Sequence, residues 1–192
     1  MEKQIKTICV YCGSSFGNNS LYKEKAEALG NAIADMNIAL VFGGSHLGLM
    51  GTIADSVLSK GGKVIGVIPE YLHNKGISHN DLTERHVVRN MNIRKEMMIE
   101  LSDAFIAMPG GYGTLDEITE VLSLNQLSMI DKPCALFNIN NYYNDYIKQL
   151  DHSVKEKLLR PEHRNMLLVD DDENLLLEKI QNYSKVEIGK WY

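Results

Sequence analysis

The sequence predicts an α/β fold, with a mostly parallel central sheet and helices on both faces, and three observations carry that prediction. Short β-branched or apolar runs alternate with longer segments of helical periodicity along the chain. Glycine clusters fall where those runs end and helices begin, at 13–17, 43–51 and 110–113. With 192 residues, 44% of them hydrophobic and 23% charged, the chain can bury one substantial core. Residues 1–192 are therefore expected to form a single domain, with 185–192 a peripheral tail.

Taken in order, residues 5–11 alternate as a first strand. A polar turn, Gly13-Ser14-Ser15 and then Gly17-Asn18-Asn19, leads into an amphipathic helix at 21–36, capped by Asn19 or Ser20. The turn after a first parallel strand is where α/β sheets bind ligands, so Ser14 and Ser15 either donate to a phosphate or ribose or serve only to cap the helix. Residues 38–42 form a second apolar strand. Gly43-Gly44-Ser45, with Gly48 and Gly51, opens a helix at 49–59. The glycine spacing is not G-x-G-x-x-G, and no acidic residue ends the next strand, 63–68, so a dinucleotide site is not expected. Close approach of backbones accounts for these glycines, with Gly44 and Ser45 kept as candidate ligand contacts.

Residues 69–81 read as a polar loop long enough for a rim or lid, and 85–88 as a short strand. The helix at 90–102 carries Arg94 in the middle of an apolar face: at about 100° per residue, Met91 and Met98 lie within about 60° on one side, Leu101 and Met97 on the other. A cation there must snorkel out or meet an anion. Lys95, about 100° away, could flank the same site. A strand at 104–107 precedes the glycines of 110–113. The helix after them, 115–130, is apolar nearly all round, which suggests cover on two sides and a homodimer. A buried strand at 133–137, a polar helix at 142–150, a strand at 167–169 and a helix at 173–182 behind Asp170-Asp171-Asp172 complete the chain.

Composition narrows the partners. A net charge of −5 argues against a broad nucleic-acid or anionic-membrane surface and favours a small molecule. No apolar run approaches the roughly 20 residues of a membrane span, and the N-terminus reads as a strand, so a cytoplasmic location is expected. Cys9 and Cys12 form a C-x-x-C, but on a strand, where positions three apart face opposite ways; with Cys134 they are expected to be buried, reduced thiols. The six histidines show no metal-ligand spacing, so no metal is expected.

The chemistry concentrates after the strand at 104–107. Gly110, Gly111 and Gly113 let backbone N–H groups converge at the positive end of the following helix, which is a seat for a phosphate. Glu117 stands one helical turn, about 5–6 Å, behind it. Thr114-Leu115-Asp116-Glu117 also fits a capping box, which would make Glu117 part of a well-formed helix start. Capping leaves the three glycines and the Arg94–Lys95 pair unexplained, and together these favour an anion site. A ribose 5-phosphate held by the loop would lie over Glu117, where a carboxylate assists the oxocarbenium-like state of N-glycosidic cleavage.

Pro109-Gly110-Gly111-Tyr112-Gly113-Thr114-Leu115-Asp116-Glu117 matches P-G-G-x-G-T-x-x-E, and Met91-Asn92-Ile93-Arg94-Lys95 matches M-H-x-R-K except at Asn92. In these motifs, and in a likeness extending over about 8–137, the chain resembles the Lonely Guy (LOG) family. The resemblance implies a Rossmann-like three-layer homodimer that needs no cofactor. It also implies a phosphoribohydrolase that converts cytokinin riboside 5′-monophosphates or AMP to free base and ribose 5-phosphate. It assigns catalysis to Arg94 and Glu117, phosphate binding to Gly110, Gly111, Tyr112, Gly113 and Thr114, and pocket positions to Lys95 and Ser123. Asn92 and Gly76, where the family carries histidine and often glutamate, bear on base preference. The competing expectation is a non-catalytic nucleotide or phosphorylated-cofactor carrier on the same fold. An amino-acid decarboxylase would need a pyridoxal-phosphate lysine, for which Lys95 is weak support.

Overall fold

The structure, a computed structural model, describes residues 5–184; the tail expected at 185–192 lies outside them. Seven strands, β1 (Thr7–Tyr11), β2 (Ala39–Phe42), β3 (Val64–Pro69), β4 (Glu84–Val88), β5 (Ala104–Ala107), β6 (Cys134–Phe137) and β7 (Leu167–Asp170), form one sheet in the order β4-β3-β2-β1-β5-β6-β7. Every pairing is parallel. The chain builds outward from β1 to one edge, then returns to the other side of β1 and builds to the opposite edge. The C-terminal ends of β1 and β5 therefore flank a topological switch point, where loops diverge and leave a crevice.

Eight helices surround the sheet among the described residues: α1 (Ser20–Asp35), α2 (Gly48–Ser59), α3 (Glu70–His73), α4 (Met91–Leu101), α5 (Tyr112–Gln126), α6 (Asn144–Lys155), α7 (Pro161–Arg164) and α8 (Glu173–Gln181). Alternation along the strands divides the core in two. Ile8, Val10, Leu40 and Phe42 pack against α1, α2 and α8, whereas Cys9, Tyr11, Val41 and Phe105 pack against α4, α5 and α6. The three-layer arrangement follows. Side chains start three of the helices: Asn19 accepts from the Leu21 N–H, Asn90 from Ile93 and Asp172 from Asn174 and Leu175.

Four elements differ from the sequence reading. Residues 69–81 contain the short helix α3, and the segment is pinned to the β2–α2 turn: Ser45 and Ser78 form a bridge, His46 N–H donates to Ile77 at 3.0 Å, and His79 N–H donates to Gly44 at 2.9 Å. It is a fixed wall. Helix α5 begins at Tyr112, earlier than expected because Gly111 can serve as its N-cap, and it ends where Ser128 turns left-handed (φ 56°). Helix α6 starts two residues late and runs to Lys155, because Asn140 and Asn141 are left-handed before it. The single-turn α7 carries no periodicity that could announce it.

Cys9 and Cys12 lie in the two opposite halves of the core, and all three cysteines are buried and free. Burial pushes each thiol far above its usual pKa. The native protein should therefore show almost no reaction with a thiol reagent at pH 8 over minutes, and guanidinium should release all three thiols; rapid labelling of the native fold would contradict their burial.

Candidate functional site

Four chain segments meet at the switch point around a cavity of about 350 Å³. The β1–α1 turn brings Gly13 and Ser14, the end of β2 brings Gly43, α4 brings Met91 and Arg94, and the start of α5 brings 111–114, Asp116 and Glu117. The first and last of these are tied by the Gly13 N–H, which donates to the Pro109 carbonyl at 3.0 Å.

At the floor of the cavity Arg94 meets Glu117. Nη1 donates to Oε1 at 2.6 Å and Nε donates to the Val67 carbonyl, within β3, at 3.0 Å. Both residues are buried, Arg94 at 8% and Glu117 at 7% exposure, so the cation on α4's apolar face is paired, not snorkelling. Gly43 makes this possible, since a Cβ there would collide with Nη2 of Arg94 and press on the Met50 sulfur at 3.0 Å. Burial pushes the Glu117 carboxyl above its usual pKa, and Arg94 pulls it part of the way back.

The capping-box reading of Glu117 fails here. Gly111 is the N-cap, α5 has no side-chain cap bond, Thr114 is the third helical residue, and Glu117 lies in the second turn facing Arg94. The first-turn N–H groups of Tyr112, Gly113 and Thr114 are therefore left without a capping acceptor. A Cβ on Gly111 or Gly113 would meet nothing within 4 Å, so no internal contact requires glycine at either position. The missing side chains leave open space above unpaired donors at a positive helix end, which is the geometry of an anion seat.

Comparisons with known proteins identify the family of the chain. A family model described as possible lysine decarboxylase matches residues 50–180. Cytokinin riboside 5′-monophosphate phosphoribohydrolase LOG1 of Arabidopsis thaliana is 42% identical over 183 residues, 95% of this chain and 86% of that protein. The enzyme of the same name from Rhodococcoides fascians is 44% identical over 168 residues, 87% and 85% of the two chains. The chain belongs to the LOG family. Among solved structures, the molybdenum cofactor binding protein of Rippkaea orientalis superposes with a TM-score of 0.69 at 23% identity, covering 93% of this chain and 96% of that one. The Moco carrier protein of Chlamydomonas reinhardtii gives 0.67 at 19%, covering 93% and 97%. At those identities the likeness shows the Rossmann-like fold alone.

Not every position singled out in this LOG-family sequence reaches the cavity. Ser14, Gly111, Tyr112, Gly113, Thr114, Arg94 and Glu117 line it. Gly110 lies behind it, against Thr114 and Gly13. Lys95 pairs with Asp116 at 2.9 Å and Glu120 at 3.0 Å, and with Ser123 it lines a separate open groove along α5. Ser45 is buried, with its hydroxyl accepting from the Leu47 N–H at 3.1 Å. Asn92 is exposed on α4, and Gly76 is left-handed (φ 74°), so a glutamate at that position would be strained. Sequence reasoning missed Gly43 as the space for Arg94, the signal being a Gly-Gly pair directly after an apolar strand. It also missed Met50 and Asp116.

The pair makes stability depend on pH. Replacing Arg94 by alanine removes the group that lowers the Glu117 pKa, so the folded-state value rises further above the unfolded one. Above that value a charged carboxylate stays buried alone, and R94A should lose about 3–5 kcal/mol in urea denaturation near pH 8. As pH falls through the raised pKa the carboxyl becomes neutral and much of the loss should disappear. An equal loss at pH 5 and pH 8 would mean that Glu117 does not carry it.

Proposed function

We propose that the chain is a nucleoside 5′-monophosphate phosphoribohydrolase, which cleaves the N-glycosidic bond of cytokinin riboside 5′-monophosphates and of AMP to release the base and ribose 5-phosphate. The observation that carries this reading is the buried Arg94–Glu117 pair one helical turn behind an open, glycine-lined helix start. Relatives bearing that activity's name, at about 40% identity over most of their length, support it further.

On this reading the 5′-phosphate accepts from the N–H groups of Tyr112, Gly113 and Thr114, with Ser14 beside it. The ribose then lies over Glu117, and the base faces Met50 and Met91, whose flexible thioethers suit rings of differing substitution. Arg94 holds Glu117 through Oε1 and fixes the carboxylate's orientation. As C1′–N9 breaks, its electron pair leaves on the base and positive charge develops at C1′. Glu117 stabilises that charge and takes a proton from the water that forms the new C1′–O bond. The base takes up a proton as it departs. Arg94, always protonated, serves as charge and clamp rather than as an acid.

Purified protein should release adenine from AMP, and the substituted base from N6-isopentenyladenosine monophosphate, but should leave adenosine untouched. Glu117→Gln should lower kcat about 100- to 10,000-fold with the fold intact. Because the working form of Glu117 is the carboxylate and burial raises its pKa, activity should fall as pH drops through a value above the ordinary carboxylate range. Turnover of adenosine at the rate of AMP, or full activity in E117Q, would reject the proposal. Tight AMP binding with no product would favour a carrier.

We also infer that two copies pair through α5, in a cytoplasmic setting consistent with the free thiols. Leu127 and Met129, at the end of that helix, are each 67% exposed, and Leu122 and Leu124 are only half-buried. No described helix is long and apolar enough to cross a membrane. Sedimentation equilibrium should give twice the 21.6 kDa chain mass, and Leu127→Glu should shift the particle toward one chain; a monomeric wild type would remove the inference.

A further inference from the structure

Three consecutive carbonyls at the glycine loop are held from two other parts of the fold, the segment after β6 and the β1–α1 turn. The Tyr143 hydroxyl donates to the Met108 carbonyl at 2.6 Å, the Gly13 N–H to Pro109 at 3.0 Å, and the Tyr142 hydroxyl to Gly110 at 2.7 Å. The two tyrosines follow β6 and are themselves fixed. Asn140 and Asn141, both left-handed, turn the chain towards the loop, and Asn138 accepts from the Tyr143 N–H at 2.7 Å. Tyr142 packs edge-on to Tyr22 and to Tyr143.

The Gly110 contact has a chemical consequence. A trans peptide plane points its C=O and the following N–H in opposite directions. The Gly110–Gly111 peptide is flanked by two glycines, so it can rotate with little steric opposition. Rotated one way it presents the Gly111 N–H to the cavity, and rotated the other way it presents a carbonyl oxygen, which repels an anion. Tyr142 lies with Phe16 and Tyr22 around a second cavity of about 270 Å³ on the other side of the loop, while Gly111 borders both cavities. By holding the carbonyl on its own side, Tyr142 leaves the N–H for the phosphate side.

We propose that Tyr142 is a positioning residue: its hydroxyl locks the Gly110–Gly111 peptide in the anion-binding orientation, with Tyr143 bracing the peptide before Pro109. The proposal rests on the phosphate seat described above. It predicts that Tyr142→Phe, which keeps the ring packing and loses one bond, raises the KM for AMP about 3- to 10-fold and raises the inhibition constant of inorganic phosphate by the same factor. The fall in kcat should be smaller than either, and the melting temperature should stay within about 3 °C of wild type. If Y142F does not fold, Tyr142→Leu, which keeps an apolar side chain there and carries no donor, reads the same quantities.

KM and phosphate inhibition both within twofold of wild type would overturn the lock. So would a loss confined to kcat, or a melting temperature that falls without any change in phosphate inhibition. Wild-type protein indifferent to inorganic phosphate and equally active on adenosine would instead remove the phosphate seat itself, so the two failures are distinguishable.

Discussion

A buried arginine–glutamate pair is the constraint around which this molecule is arranged. Removing two charges from water costs several kcal/mol per ion, and a single bond between them at 2.6 Å offsets this only if their remaining needs are met nearby. The Val67 carbonyl within β3 takes the Nε–H, and the bare Cα of Gly43, just after β2, gives the guanidinium its space. Both depend on β2 ending level with the middle of β3, where the parallel register pairs Phe42 with Gly66 and so sets Gly43 beside Val67. Few topologies bring two strand ends, a crossover helix and the start of the next helix to one point; a switch point does so by construction.

The pair also explains how a carboxylate can stand beside a phosphate. Without Arg94 the site would gather two negative groups in a cavity of low dielectric, and Glu117 would meet the ligand's charge by taking up a proton. With Arg94 in place, burial raises the carboxyl pKa and the cation opposes the rise. The positive end of α5 acts on the other side of the balance by stabilising the phosphate one turn away. On the proposed reading, these opposed effects leave a carboxylate near the sugar that is more basic than an ordinary one.

Most of the fold was legible because the five inner strands, buried on both faces, announce themselves as apolar runs; the edge strands β4 and β7 are only partly buried, yet all seven were found within a few residues. Arg94 was legible for a similar reason: a charge in the middle of an apolar stripe conflicts with its helix and points to a partner. Lys95 invited the same inference but is paired with Asp116 and Glu120, since its position some 100° round the helix turns it to another groove. Thr114 and Glu117 fitted a capping box that does not form, because Gly111 starts the helix earlier and moves both residues inward. Periodicity assigns a residue to a face; it does not fix the residue at which a helix begins, and this site is built at that residue. Gly43 and Tyr142 act through contacts between segments distant in sequence, which no local pattern records.

A glycine loop at a switch point will seat a phosphate whatever is attached to it, because its donors are backbone groups that carry no information about the rest of the ligand. Binding and chemistry are therefore separable here. On the proposed reading the seat comes from the connection between β5 and α5, whereas the Glu117 carboxylate is oriented from α4 by Arg94, which passes Gly43. On the proposed reading, loss of the arginine alone would leave the phosphate seat in place with Glu117 no longer oriented. Loss of the loop geometry alone would leave a competent pair with nothing holding the sugar over it. Activity requires both, and the short segment from Gly110 to Glu117 is where the two requirements meet on one helix.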